Sequence, residues 1–564
     1  MTALVPHTPA TGSTPREVAD RYVADVAMAD PLIAQRFGLP TSREGFPDYS
    51  PDGLERSAEL DRATLRTLDH AESGAGDDPA QRRCARLLRE RVSTRLALHD
   101  AGEGLRRIGA VASPVQAVRG AFAQMPTGTD DDWAAVGTRL RHVAPALEGY
   151  RAALRLGAER DMGGGPAQVD TVIGQLTGWT EGGGWLQDLA SRAPDRLRPG
   201  LDTAAAAAAA AAVDLRDWLR DDYGPRVRNA PDTVGRDRYA LWVRHWTGSR
   251  ADLDQTYAWG WEEIRRIEGL MRDAAEEVLP GATPRAALAH LSSHGTAVHG
   301  TDAVRTWLQT LMDETITALD GVHFDLPAPL RRVEAMIAPA GGAAAPYYTP
   351  PSLGFNRPGR TWLPVGGRDR FPVHELVSTW YHEGVPGHHA QLATRVLLAD
   401  RLSLYQATLG SVNADAEGWA MYAERLMDEL GHFTDPALRL GHLDAQMMRA
   451  VRIVVDIGLH LGSRIPADAG SGHDGARWTP ALAAEFLAGH IGRPGDFLDS
   501  ELVRYLGLPG QAIGYKLGER AWREGRARAE RRRDGRFDLK EWHTAALAQG
   551  PLGLDDLVDE LGRL

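Results

Sequence analysis

The chain has 564 residues, 43% hydrophobic and 25% charged, the usage of a folded protein long enough for a large core and more than one lobe. Acidic residues outnumber basic ones 76 to 64, and the formal charge of −12 argues against nucleic acid or an anionic membrane as partner. The one cysteine, Cys84, excludes an intrachain disulfide, a zinc ribbon and a dithiol redox motif, so any metal must be held by nitrogen and oxygen.

Residues 1–13 are rich in Pro, Thr and Ser and read as a flexible segment. The first 30 residues lack a secretory signal pattern, and no apolar run approaches the roughly 20 residues of a membrane span, so a cytoplasmic location is expected. Thr14-Pro-Arg-Glu17 combines a capping residue, a first-turn proline and an acidic third position, which predicts a helix start. From there to residue 330 the pattern reads as a helical lobe, with apolar stripes such as Leu87, Leu88, Val92, Leu96 and Trp259, Ile264, Ile267, Met271. The alanines at 204–212 predict a helix with Asp202 as its cap. Between about 331 and 367 the texture changes to three short strands, RRVEAMIAP, APYYTPPS and RTWLPVG, separated by Gly, Pro and Asn turns. Helices resume after them, so residues 331–564 read as a second lobe of small sheet plus helices, and the fold class is mainly α.

The chemistry concentrates at residues 371–393, FPVHELVSTWYHEGVPGHHAQLA, which hold four of the 19 histidines. In an H-E-x-x-H helix, one turn sets two imidazoles on the same face and leaves the Glu beside the first as general base. Here Pro386 occupies the place of the second histidine. Proline crowds the carbonyl four residues back and Gly387 tolerates unusual dihedrals, so a helix widened by a bulge is expected to return His388 to the face of His382. His388 is the preferred second ligand and His389 a close second; the other is left to orient a ligand or contact substrate. Glu417 is the expected third ligand, because its neighbours are apolar and a buried unpaired carboxylate is costly without a cation. Glu424 shares its face and is expected to stand behind the ligands. His374 reads as an ordinary hydrogen-bonded histidine.

Four ordered blocks resemble a known bacterial family, the domain of unknown function 885, related to the gluzincin metallopeptidases. They are Tyr381-His-Glu-Gly-Val-Pro-Gly-His-His389, Glu417-Gly-Trp-Ala-Met-Tyr-Ala-Glu424, Tyr347-Tyr-Thr-Pro-Pro-Ser352 with Arg357-Pro-Gly359, and Pro509-Gly-Gln-Ala-Ile-Gly-Tyr-Lys516. The resemblance covers nearly the whole chain as one unit of that type. It implies a large helical, zincin-like fold with an enclosed cleft and one zinc ion. Leu353-Gly-Phe-Asn-Arg357 stands where the family has a turn of the Asp-Gly-Ser-Arg type, so no substrate preference is carried over.

Two further helices add polar residues. Arg449, Arg452, Asp456 and His460 form one stripe on an otherwise apolar helix, facing either a polar cavity, where Arg449 or Arg452 holds substrate and His460 serves the oxyanion, or a buried charge network with an Arg452–Asp456 pair. Tyr515 is the candidate phenol for stabilising a tetrahedral intermediate, with Tyr348 as the alternative and as a substrate contact. The glycines Gly514 and Gly518 beside Tyr515 permit close approach of another backbone.

The expected activity is zinc-dependent hydrolysis of a short peptide or small amide, with His382, His388 and Glu417 on the metal, Glu383 as base, and Tyr515 and His460 assisting. The alternatives are a metallohydrolase of an acyl metabolite and a degenerate small-molecule or peptide-binding protein.

Overall fold

The computed structural model describes residues 13–564 apart from 42–43, 73–76, 182–183, 340–344 and 494. The flexible segment expected at 1–13 thus lies almost wholly outside the described residues. Helix accounts for 68% and strand for 4%, in agreement with the mainly α class.

The chain divides into two units, Met1–Val234 with Val503–Pro509, and Gly235–Leu502 with Gly510–Leu564. The boundary therefore falls near 235 and not near 331. Helix α3 (Leu253–Val278), expected in the first lobe, packs along the later helix Pro436–Leu461. Gly260 lets Ile453 and Val454 approach so closely that a Cβ there would collide with both.

In the first unit, α1 (Pro15–Ala29) starts as the capping box predicts, with Thr14 and Glu17 exchanging side-chain and backbone bonds. The alanine run lies within α2 (Arg198–Trp218), where Ala204, Ala205, Ala208, Ala209 and Ala212 are buried against the helices Asp130–Arg141, Val143–Glu159, Pro166–Thr180 and Trp185–Ser191. Alanine's small side chain suits the centre of such a group. Asp202 is not the cap: the helix begins four residues earlier, with Pro199 in its first turn.

The second unit carries all the residues singled out for chemistry. The predicted strands form a sheet of order β2-β4-β3, with β2 (Val333–Ile337) parallel to β4 (Gly359–Leu363) and β3 (Tyr347–Thr349) antiparallel to it. The Gln309 side chain, on α4 (Thr301–Leu319), accepts from the Ala335 amide and donates to the Val333 carbonyl, which covers the outer edge of β2. A second pairing was not anticipated from sequence: β1 (Ala297–His299) is antiparallel to β5 (Arg370–Pro372). β5 runs directly into α5 (Val373–Glu383), so this small ribbon fixes where the first histidine helix begins. There follow α6 (His388–Leu397), α7 (Asn413–Glu429), α8 (Pro436–Leu461), α9 (Gly514–Arg533) and α10 (Leu539–Ala548).

Candidate functional site

The segment from Tyr381 to His389 is not a widened helix. α5 ends at Glu383, residues 384–387 turn, and a new helix starts at His388. The glycines of the turn have no room for a side chain: a Cβ on Gly387 would meet the carbonyl oxygens of Tyr381 and His382, and one on Gly384 would meet Met312. The Gly387 amide donates to the Tyr381 carbonyl at 3.0 Å. From α7, the Trp419 indole donates to the carbonyls of Pro386 (2.9 Å) and Gly387 (3.0 Å). The buried Arg395–Asp415 pair, 2.6 Å, ties α6 to α7 two residues before Glu417. The turn is therefore held by the helix that supplies the expected third ligand.

The break brings the groups together as a continuous helix would not. His382 Nε2 lies 3.3 Å from Glu417 Oε2, and His388 Nε2 lies 3.5 Å from the same oxygen. The two imidazoles stand nearly perpendicular, with centroids 4.8 Å apart. His382, Glu383 and His388 also present ligand atoms within 4.8 Å of one another, so the pair of rings is flanked by two carboxylates. Glu417 Oε2 contacts both ring nitrogens, while Glu383 is the acid within 4.8 Å of both rings' ligand atoms.

Behind His382, Nδ1 donates to Glu424 Oε1 at 2.8 Å, which leaves Nε2 as the atom that faces Glu417. The other Glu424 oxygen accepts from Ser378 Oγ at 2.6 Å; Ser378 also meets His442 Nδ1 at 2.9 Å, and Arg449 Nη2 stands 3.7 Å from the carboxylate. Ser378 and His442 were not singled out from sequence. The available signals were spacing: Ser378 is one turn before His382, and His442 two turns before Arg449.

The electrostatics follow from this packing. Burial alone would raise Glu424, but Arg449 and His382 outweigh it and hold the carboxyl down at about 2. Burial lowers the His382 imidazolium, yet the bonds to Glu417 and Glu424 prevail and carry it to about 9. Glu417 is held well below the usual carboxylate range because His382 and His388 overcome its desolvation. Glu383 goes the other way: desolvation raises it against the opposing pull of His382 and His388. Two buried carboxyls thus separate into a firmly ionised one and one with enhanced proton affinity. The buried His388 Nδ1 has no hydrogen-bond partner among the described residues.

The remaining sequence candidates divide. His389 is fully buried, with Nε2 donating to the Leu330 carbonyl (2.8 Å) and Nδ1 accepting from the Tyr348 hydroxyl (2.8 Å). Both nitrogens are spent, so the expectation of His389 as a substrate contact is corrected: it anchors α6 to the sheet. Burial pushes it down to about 4 and keeps it neutral. Tyr348 is spent on the same bond, and the absence of a Cβ at Gly359 makes room for the pair. Tyr515 does stand at the site, its ring 6.4 Å from that of His382 at 18°. Gly418 of α7 and Gly518 of α9 meet backbone to backbone to bring it there.

His460 is not at the site. It is buried against Tyr239, rings 5.3 Å apart, with Nε2 3.8 Å from Asp456, whose other oxygen accepts from the Tyr239 hydroxyl (2.6 Å) and the Gly510 amide (2.9 Å). A catalytic role for His460 is therefore withdrawn. Arg452 pairs with Glu501 at 2.8 Å and not with Asp456, and its guanidinium lies 4.7 Å over the Tyr515 ring, so it supports Tyr515 where a substrate contact was expected. Arg449 likewise turns to Glu424 and not to a substrate cleft.

Residues 31–561 match the family described as a bacterial protein of unknown function, DUF885, and the chain belongs to that family. Two solved structures share the fold. One, described as a putative lipoprotein from Colwellia psychrerythraea, is 22% identical with a TM-score of 0.82 over 97% of this chain and 98% of that one. The other, described as a putative lipoprotein of unknown function from Shewanella oneidensis, is 16% identical with a TM-score of 0.74 over 98% and 100%. No curated protein matches the sequence. Both descriptions name lipoproteins and so overturn the cytoplasmic expectation, which rested on the first 30 residues lacking a secretory signal pattern and on the lack of a membrane-length apolar run. No helix among the described residues is long and apolar enough to cross a membrane.

Proposed function

With membership of the DUF885 family as premise, we propose that this protein is a zinc-dependent hydrolase related to the gluzincin metallopeptidases, cleaving the amide bond of a short peptide or small amide. The observation that carries the reading is the meeting of His382 Nε2 and His388 Nε2 on one Glu417 oxygen, at 3.3 and 3.5 Å. Two imidazole nitrogens and one carboxylate oxygen are the donor set of a catalytic zinc with an open position. Zinc, when bound, supplies a water of lowered pKa and polarises the scissile carbonyl.

The protein's own groups take the other roles. Glu424 accepts from Nδ1 of His382 and so directs the Nε2 lone pair toward the metal. His388 offers Nε2 from the first residue of α6, and Glu417 closes the set. Glu383, next to His382 and in reach of both rings, takes the proton of the attacking water and hands it to the leaving amine. Tyr515 donates to the substrate oxygen as it gains charge. The His388 and Glu417 side chains are only 11% and 16% exposed, which favours a short extended substrate over a folded protein.

The test is elemental analysis of the full chain with turnover of a short-peptide library. One zinc per chain is expected, with Glu383→Gln retaining the metal and losing hydrolysis. A chain that takes up no zinc, or a Glu383→Gln variant that hydrolyses as fast as the parent, overturns the proposal.

A further inference from the structure

The opposite end of α5 from His382 opens on a separate cavity of about 200 Å³, room for roughly six waters, the bulk of a free amino acid. His374, in the first turn of α5, lines it about 12 Å along the helix axis from His382. None of the metal-centre residues borders it.

Its charged lining is incompletely paired. Asp444 is only 5% exposed; its Oδ1 accepts from the Gly492 amide at 3.1 Å, while Oδ2 has Arg493 Nε at 4.0 Å, beyond hydrogen-bond reach. Glu375 is met by Ser292 Oγ at 3.1 Å and by Arg368 at 3.6 Å. Arg285 spends one nitrogen on the Ala488 carbonyl at 2.7 Å. His374, itself buried, also lines this space. Against these groups stand Leu288, Ala289 and Ile491 as an apolar wall.

Asp444, only 5% exposed, borders the cavity, so a donor from a ligand can reach its carboxylate there. A lone cation would answer Asp444 and leave the arginines, and a lone anion would do the reverse. With Glu375 answered by Arg368, the charges left for a ligand are the Asp444 carboxylate and the guanidinium groups of Arg285 and Arg493, so the complementary ligand carries both an ammonium and a carboxylate. We propose that this cavity binds a free amino acid with an aliphatic side chain, its ammonium on Asp444, its carboxylate on Arg493 and Arg285, and its side chain against Leu288 and Ile491. This site is independent of the hydrolase reading.

Calorimetry on the full chain with L-leucine tests it, beside 4-methylpentanoate, which lacks the ammonium, and 3-methylbutylamine, which lacks the carboxylate. One L-leucine per chain is expected, with each analogue at least about tenfold weaker, the effect of losing one charge-assisted hydrogen bond. Asp444→Asn should weaken L-leucine by a similar factor. Arg493→Gln, at a side chain 24% exposed and so safer for folding, should do the same. His382→Ala should leave the affinity unchanged. Failure of L-leucine to bind, equal binding of either analogue, full affinity in both cavity variants, or loss of affinity in His382→Ala overturns the proposal, the last by moving the ligand to the metal centre.

Discussion

On α8, the polar stripe is answered almost entirely by groups that belong to the protein: Arg452 by Glu501, Asp456 by the Tyr239 hydroxyl and the Gly510 amide, His460 by Tyr239 and Asp456. At the break between α5 and α6, His382, His388, Glu383 and Glu417 face one another around a common point, and the protein's answering groups, Glu424 and Ser378, stand only behind. Both stretches set His and acid on a largely apolar helix in the sequence. What separates them is where the partners lie. A buried charge paired from all sides specifies packing, whereas a convergent donor set supported from one side is the arrangement that the proposed metal requires. Arg449 connects the two, a stripe residue that serves Glu424.

The contrast breaks if histidines of the two regions respond alike to substitution. His382→Ala should leave almost no zinc in the purified chain and reduce hydrolysis by about a thousandfold or more, the loss of several kcal/mol of transition-state stabilisation. His460→Gln should keep zinc and kcat within about twofold while lowering Tm by a few degrees. A smaller effect is expected one layer back. Glu424→Gln removes the charge behind His382 and should weaken zinc binding about 10- to 100-fold in a chelator competition, with folding retained. Its stripe counterpart is Asp456→Asn, which deprives the Tyr239 hydroxyl and the Gly510 amide of a charged acceptor. A loss of about 2 kcal/mol in urea unfolding is expected, with zinc affinity untouched. If Asp456→Asn depletes the metal instead, the stripe belongs to the site after all.

Local chemistry was legible where it acts locally. The Thr14 capping box, the alanine helix and the three strands follow from propensity and turn residues, and all appear. The histidine run was legible as chemistry but not as geometry. Pro386 and Gly387 announce a departure from the helix, yet whether the chain bulges or stops is decided by Trp419 binding the turn's carbonyls and by the lack of space around Gly384 and Gly387. These partners come from α7 and α4. For the same reason sequence left His388 and His389 open: the choice rests on Leu330 and Tyr348, which occupy both nitrogens of His389. The stripe misled because Tyr239, Glu501 and Gly510, the groups that neutralise it, lie far away in the chain.

The finest test of the contrast uses acid. His543 on α10 is a paired histidine of the stripe kind, with Nε2 accepting from the Tyr422 hydroxyl at 2.8 Å and Nδ1 donating to the His323 carbonyl at 3.1 Å. Burial pushes it down to about 3 against 6.5 in an unfolded chain, because a second proton would find no acceptor. The unfolded chain binds that proton between pH 6.5 and 3 and the native one does not, so stability is full above this window and is lost as pH falls through it. From pH 7 to 5.5 the loss assigned to His543 is about 1 kcal/mol. His543→Gln, which can still donate to one partner, should unfold more easily at pH 7 but with a flatter dependence between pH 7 and 5.5. An unchanged slope would show that His543 is protonated in the native state. A paired histidine would then accept charge as readily as His382, and the line between paired and convergent histidines would have to be drawn on partners other than these.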